Sequence, residues 1–492
     1  MASDAIAEQV VHEGGASGRL RWLALAVIGI AQLMVVLDLT VMNVALPSAQ
    51  QALNFTTADR QWVVTAYTLA FGSLLLAGGR LADLLGRKTT FLVGLVGFAG
   101  VSAVGGASVD FAMLVAARAC QGAFAALLVP SALSLLTTTF TVPKERARAF
   151  GVFGAIATAG GAIGLLIGGS LTEYLSWRWT LYVNLVFAGI AFVGGSILLT
   201  RQPAPVKPRF DIPGVVLSSG GMFCVVYGFG NAATHGWRSP STWGFLVAGT
   251  VLLALFAFWM TRATHPLLPP SVVLNRDRAG AYVAVLFASL CLFATFLFLT
   301  YYLQRTLNFS PVKTGLAFLP ISASLALAAN VSTIVLMPRV GPRPLAPAGL
   351  AVGAGALAWL AQLGPHTGYA GGVLGPLIVI GLGLGMVIAP SINAGTYGVA
   401  PQDAGVASAT VTVGQQLGAS IGTSLLNTIF ASAVASYLVA HASLGRAANA
   451  LASAHGYDTA FWWATGIAAA GAVVTGLLFQ SGPLANPQAP VR

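Results

Sequence analysis

The chain has 492 residues, of which 57% are hydrophobic, only 8% are charged and 58 are glycine. Soluble domains carry about 25% charged residues, so the composition excludes one. The formal net charge of +11 is scattered through short connections and forms no patch or arm, which argues against a nucleic-acid partner.

Apolar segments of about 20 residues recur along nearly the whole length, each long enough to cross a hydrocarbon core of ~30 Å. The chain therefore reads as an all-α polytopic membrane protein. Residues 1–21 are polar and lack an apolar core ending in a cleavage site, so they are assigned as a cytoplasmic tail without a cleaved signal peptide. Fourteen membrane helices are predicted, over residues 22–46, 59–79, 89–107, 111–138, 147–171, 180–200, 213–232, 241–260, 280–304, 312–336, 344–363, 372–396, 404–434 and 460–480. The first contains Asp38, deep in its apolar run. An ionised side chain at the centre of a membrane helix costs at least ~2.5 kcal/mol, so such residues usually mark ion or substrate pathways.

The second and third helices are joined by a short basic turn over 79–88, and the tenth and eleventh by a similar one over 337–343. These turns occupy matching places if helices seven and eight are an insertion between two six-helix halves, and transporters are commonly built from such repeats. The predicted organisation is a six-helix bundle over 22–200, a linker with two extra helices over 201–279, a six-helix bundle over 280–480 and a cytoplasmic tail over 481–492. With both termini cytoplasmic, seventeen of the 24 basic residues fall inside and six outside, with Arg118 in the fourth helix. That asymmetry obeys the positive-inside rule. Cys120, Cys224 and Cys291 all lie in apolar segments and read as small buried hydrophobes. The six histidines show no metal-ligand spacing.

Gly79, Leu81, Ala82, Asp83, Gly86, Arg87 and Lys88 resemble the signature loop of the major facilitator superfamily, with Leu84 where the family usually has another basic residue. Glycine permits a tight turn there, and the charges are suited to contacts with helix ends that hold one conformation and break in another. Arg118, Gln121 and Gly122 resemble the family's fourth-helix motif, whose arginine the resemblance links to proton transfer. At 1.5 Å per residue Asp38 lies ~6 Å below the outer end of a ~30 Å core, and Arg118 ~10 Å below it. The levels match within a turn, and the resemblance implies that helices one and four both line the central cavity, so an ion pair or water-bridged pair between Asp38 and Arg118 is expected; the alternative is an arginine snorkelling outward. In the fifth helix Gly151, Gly160, Gly164, Gly168 and Gly169 resemble the family's antiporter motif, with Leu165 in place of its proline. The bland alternative is a generic small-residue interface.

Several segments are similar to one branch of that superfamily, the fourteen-helix drug/proton antiporters of the QacA and EmrB type. They are LDLTVMNVALP at 37–47, Trp177, Arg178, Trp179 with Asn184, FDIPG at 210–214, YYLQ at 301–304, and Ser310, Pro311 with GLAFLP at 315–320. The resemblance implies a proton-coupled exporter of hydrophobic or amphipathic small molecules that works by alternating access and confers drug or antibiotic resistance. It implies a multi-pass protein of the inner (plasma) membrane, monomeric, with protons and lipid as partners and no cofactor, since the proton gradient drives it. Asp38 and Arg118 would carry the coupling. A cavity wall of Gln32, Asn43, Tyr67, Gln121, Phe124, Tyr301, Gln304, Asn393 and Gln415 would suit amphipathic compounds oriented by a few polar contacts. A proton-coupled importer of the same fold and a non-transporting sensor or scaffold remain as other readings. An enzyme is disfavoured: Gly418 to Gly422 matches the G-x-S-x-G nucleophile pattern, but that motif needs a strand, turn and helix, and here it sits in one apolar helix.

Overall fold

The computed structural model describes residues 2–140, 142–199, 211–264, 266–364, 367–399, 404–441 and 447–479. Among them every regular element is helical. The long helices are α1 (Ala2–Leu53), α2 (Gln61–Leu85), α3 (Arg87–Gly106), α4 (Phe111–Thr139), α5 (Pro143–Tyr174), α6 (Trp179–Leu198), α7 (Ile212–His235) and α8 (Pro240–Arg262). They continue with α9 (Arg276–Thr306), α10 (Pro311–Val340), α11 (Pro342–Leu360), α12 (Tyr369–Thr396), α13 (Ala404–Ala440) and α14 (Ala447–Leu478). Helices satisfy their own backbone hydrogen bonds, which is what a chain crossing hydrocarbon requires.

Twelve of these helices, rather than the fourteen expected, are long and apolar enough to cross a membrane among the described residues. The other two are α5 and α11. Several residues of α5 have side chains outside the described set. The apolar run of α11 is diluted by Arg343, Pro342, Pro344 and Pro347 at its start. The backbone over 2–21, expected as a tail, is helical and continuous with α1.

Packing repeats along the chain. In the first six helices α2 and α3 pack on α4, α3 packs on α6, and α1 packs on α4, α5 and α6. In the last six, α10 and α11 pack on α12, α11 packs on α14, and α9 packs on α12, α13 and α14. Each of these pairs has its counterpart in the other set. Local details repeat as well: Asn54 and Asn308, each followed by phenylalanine just after the first helix of its set, take left-handed φ values of 51° and 53°, a conformation asparagine tolerates. Two residues after each, a hydroxyl accepts from the backbone three residues on, Thr56 from Asp59 N in the turn before α2 and Ser310 from Lys313 N at the cap of α10, both at 3.3 Å. The two basic turns each pivot on a glycine with positive φ, Gly86 at 88° and Gly341 at 73°, which a side chain would strain.

The sets meet where α2 packs on α13, α5 on α10, and α1 on α9. Helix α7 lies against both α2 and α13, and α8 packs on α7, so the extra pair flanks this seam. Buried apolar side chains gather around Ile28, Tyr67, Phe91 and Leu128 in the first set, and around Phe298, Leu350, Leu384 and Phe461 in the last.

Candidate functional site

Asp38, on α1, meets Arg118 from α4 with Nη1 donating to Oδ2 at 2.5 Å, and both side chains are only 1% exposed. The other carboxylate oxygen accepts from Gln121 Nε2 at 3.2 Å and from Asn184 Nδ2, on α6, at 2.8 Å. Arg118 also donates from Nε to Val63 O of α2 at 3.0 Å and from Nη1 to Gln121 Oε1 at 3.0 Å, and it lies 4.5 Å over the ring of Tyr67. Ser102 Oγ, on α3, accepts from Gln121 at 2.7 Å and from Asn184 at 3.4 Å. Five helices thus supply the shell of one carboxylate. Buried charges persist when they are paired and hydrogen-bonded, and here protonating Asp38 would remove the attraction that holds Arg118. Gly122 makes this approach possible, because a Cβ there would lie 2.2 Å from Tyr67 O.

The structure brings together Asp38, Arg118, Gln121 and Tyr67 from the residues singled out in sequence. It adds Ser102, for which the sequence carried no signal, and Asn184, which appeared there only within a branch motif. The remaining cavity residues spread along the molecule. Gln32, Phe124 and Gln415 are half-buried, and Gln32 Oε1 has no hydrogen-bond partner among the described residues. Asn43 is buried and donates to Leu39 O at 2.9 Å. Gln304 donates to Val44 O at 2.9 Å from the π-helical turn Tyr302–Thr306. Tyr301 is buried beneath Arg60 at 4.2 Å. Asn393 is exposed near the end of α12. These last three are apart from the Asp38 shell.

In the signature loop, Lys88 Nζ donates to Ser196 O at 2.8 Å and Leu199 O at 2.5 Å, at the C-terminal end of α6 where a cation is favoured. Gly79 lies in α2 facing Pro130 across 3.7 Å of would-be Cβ distance, and Arg87 opens α3. The side chains of Asp83 and Leu84 lie outside the described residues. Of the fifth-helix glycines, Gly160, Gly164 and Gly168 face Leu33, Thr40 and Val41 of α1, while Gly169 faces Pro311 of α10. Gly151 is in α5, and its surroundings lie outside the described residues. The α5 helix runs on through Leu165, whose carbonyl oxygen would sit 2.4 Å from a Cβ at Gly315 of α10. The pattern Gly418 to Gly422 is confirmed as helical, inside α13, with Ser420 Oγ 2.7 Å from Thr68 Oγ1.

Residues 28–423 match the sequence profile of the Major Facilitator Superfamily, and the chain belongs to that family of membrane transporters. It is 46% identical over 463 residues to the puromycin resistance protein pur8 of Streptomyces alboniger, covering 94% of this chain and 92% of that one. It is 39% identical over 404 residues to the cephamycin export protein CmcT of Amycolatopsis lactamdurans, covering 81% and 83%. Among solved structures, a bacterial homolog of the human lysosomal transporter Spinster, inward-facing and unoccupied, aligns with a TM-score of 0.64 at 15% identity, covering 94% of this chain and 98% of that one. That likeness concerns the fold.

Proposed function

We propose that the protein is a proton-coupled exporter of hydrophobic or amphipathic antibiotics, a fourteen-helix drug/proton antiporter working by alternating access in the plasma membrane. The observation that carries this reading is the Asp38–Arg118 pair, a titratable group buried within hydrogen-bond reach of a cation and two amides. Relatives named for puromycin resistance and cephamycin export support the direction and class of cargo. A run over 150–167 of α5 without a charged residue supports a span there, and α11 packs between α12 and α14 as α3 does between α4 and α6. The helical bundles over 22–200 and 280–480 then rock against each other, with both termini cytoplasmic and the carrier acting as a monomer.

In this scheme Asp38 takes a proton from the external medium when the carrier faces outward, and its hold on Arg118 loosens. Cargo arriving from inside favours release of that proton inward. Coupling requires proton and cargo to interact differently with the two states, because equal affinity shifts nothing. The contacts of Lys88 with the end of α6 serve as part of the switch loop, and the α1–α5 glycine contact limits leak. Gln32, whose Oε1 has no hydrogen-bond partner among the described residues, offers an amide acceptor for a polar group on the cargo. Everted membrane vesicles given an inward-acid gradient should accumulate puromycin, and Asp38→Asn should abolish that accumulation with the protein still inserted. Uptake that persists in Asp38→Asn with unchanged pH dependence would sink the assignment.

A further inference from the structure

Arg60, one of the six basic residues expected on the outer side, is buried, at 1% exposure, at the start of α2. Its hydrogen-bond and ring partners among the described residues belong to α9 and α13, across the seam between the two helix sets. Nε donates to Asn427 Oδ1 at 2.7 Å, and the guanidinium carbon lies 4.2 Å from the Tyr301 ring centre, 4.6 Å from Phe430 and 5.7 Å from Phe298. Asn427 Nδ2 returns the contact to Thr57 O at 3.2 Å and Ala58 O at 3.3 Å. No carboxylate is among the partners of this cation in the described residues, and its Nη2 has no hydrogen-bond partner there. Next to it the seam is a ladder of hydroxyls: Thr65 Oγ1 is 2.9 Å from Thr423 Oγ1 and 3.2 Å from Ser424 Oγ, and Thr68 Oγ1 is 2.7 Å from Ser420 Oγ.

This is a poor way to build a permanent interface. A permanent one would use apolar side chains of similar volume, which are often as stable as a buried charge or more so. Every group here exchanges its partner for water with little loss once the seam parts. The guanidinium is fully hydrated when exposed, and so are the hydroxyls. The closed form is held by ring faces, an attraction that grows when desolvated. We infer that Arg60 is the latch of the outer gate, a cation on one helix set that closes the outward path by inserting into an aromatic cage of the other. The proposal rests on the transport reading, since a gate needs an alternating carrier.

The test uses the full-length protein with its three cysteines replaced by alanine and a single Thr65→Cys in the ladder, labelled by a membrane-impermeant maleimide on intact cells and on everted vesicles. With Arg60 present, labelling from outside should be slow. Arg60→Ala should raise it on the order of tenfold, on intact cells only, and Tyr301→Leu, which strips a ring from the opposite side of the cage, should do the same. A merely structural role would lower thermal stability without opening the site to the outside. Unchanged outside labelling in either variant that reaches the membrane at normal amounts overturns the latch. Puromycin efflux by the parent, measured in the same cells, tells failure of the transport reading from failure of the latch.

Discussion

Asp38 is held by donors from two helices besides its own, and each carboxylate oxygen is committed: Oδ2 to Arg118, Oδ1 to Gln121 and Asn184. Removing one side of a buried ion pair leaves an uncompensated charge, typically at about 3–5 kcal/mol. Arg118→Ala should therefore lower the melting temperature of the detergent-purified protein sharply, and pairing it with Asp38→Asn should recover much of the loss. Arg118→Lys should not restore function, because one ammonium cannot at once reach Asp38, Gln121 and the Val63 carbonyl as the planar guanidinium does. A melting temperature unmoved by Arg118→Ala would mean that the pair contributes nothing to the folded state. Arg60 shows the opposite arrangement, a cation held by rings and one amide, and its neighbours in sequence gave no hint of it. Following Asp59 at the end of a polar stretch, it looks like any topological charge; only α9 and α13, more than 200 residues away, reveal it as buried.

At the scale of elements, the α1–α5 contact depends on what a methyl group would strike. A Cβ at Gly168 would lie 2.8 Å from the Val41 backbone, which cannot yield without moving α1, whereas at Gly160 the nearest atom, at 2.9 Å, is the end of the Leu33 side chain. Overpacking of this kind costs typically about 1–3 kcal/mol. Gly168→Ala should thus impair stability and transport more than Gly160→Ala, and Gly161→Ala, with nothing within 4 Å, should be neutral; thermal melts and drug efflux of the three variants check the order, and equal effects would contradict it. Much of this level was legible beforehand. Depth counting along α1 and α4 put Asp38 and Arg118 at one level, because a helix advances by a fixed rise, while the family resemblance supplied the adjacency of these helices and the close glycine face of α5. Asn184 and Ser102 were not legible as partners, since neither depth nor periodicity says which face of α6 or α3 turns toward α1. Tyr301 and Gln304 were assigned to a cavity by their polarity, yet the π-helical turn after Tyr301 aims them at the α1 and α2 side of the outer seam.

Over the whole molecule, the repeated packing pairs and the paired Asn54 and Asn308 turns describe two related halves, and several hydrogen bonds between them among the described residues gather at one end. Glu173 accepts from Val312 N at 2.9 Å, Arg305 donates to Pro47 O at 3.2 Å, and Arg60 reaches Asn427, all toward the face expected outside. The fourteen-span reading is checked at α5: a reporter fused after residue 142 should be active inside, and one fused after residue 177 outside. The same side for both would remove α5 as a span. The central claim, that cargo leaves in exchange for protons through Asp38, is tested most directly in everted vesicles loaded with a pH-sensitive dye and acidified by respiration. Adding puromycin should release protons from the lumen in vesicles with the native protein and fail to do so with Asp38→Asn. Equal proton release from both, at equal amounts of protein, would contradict the account.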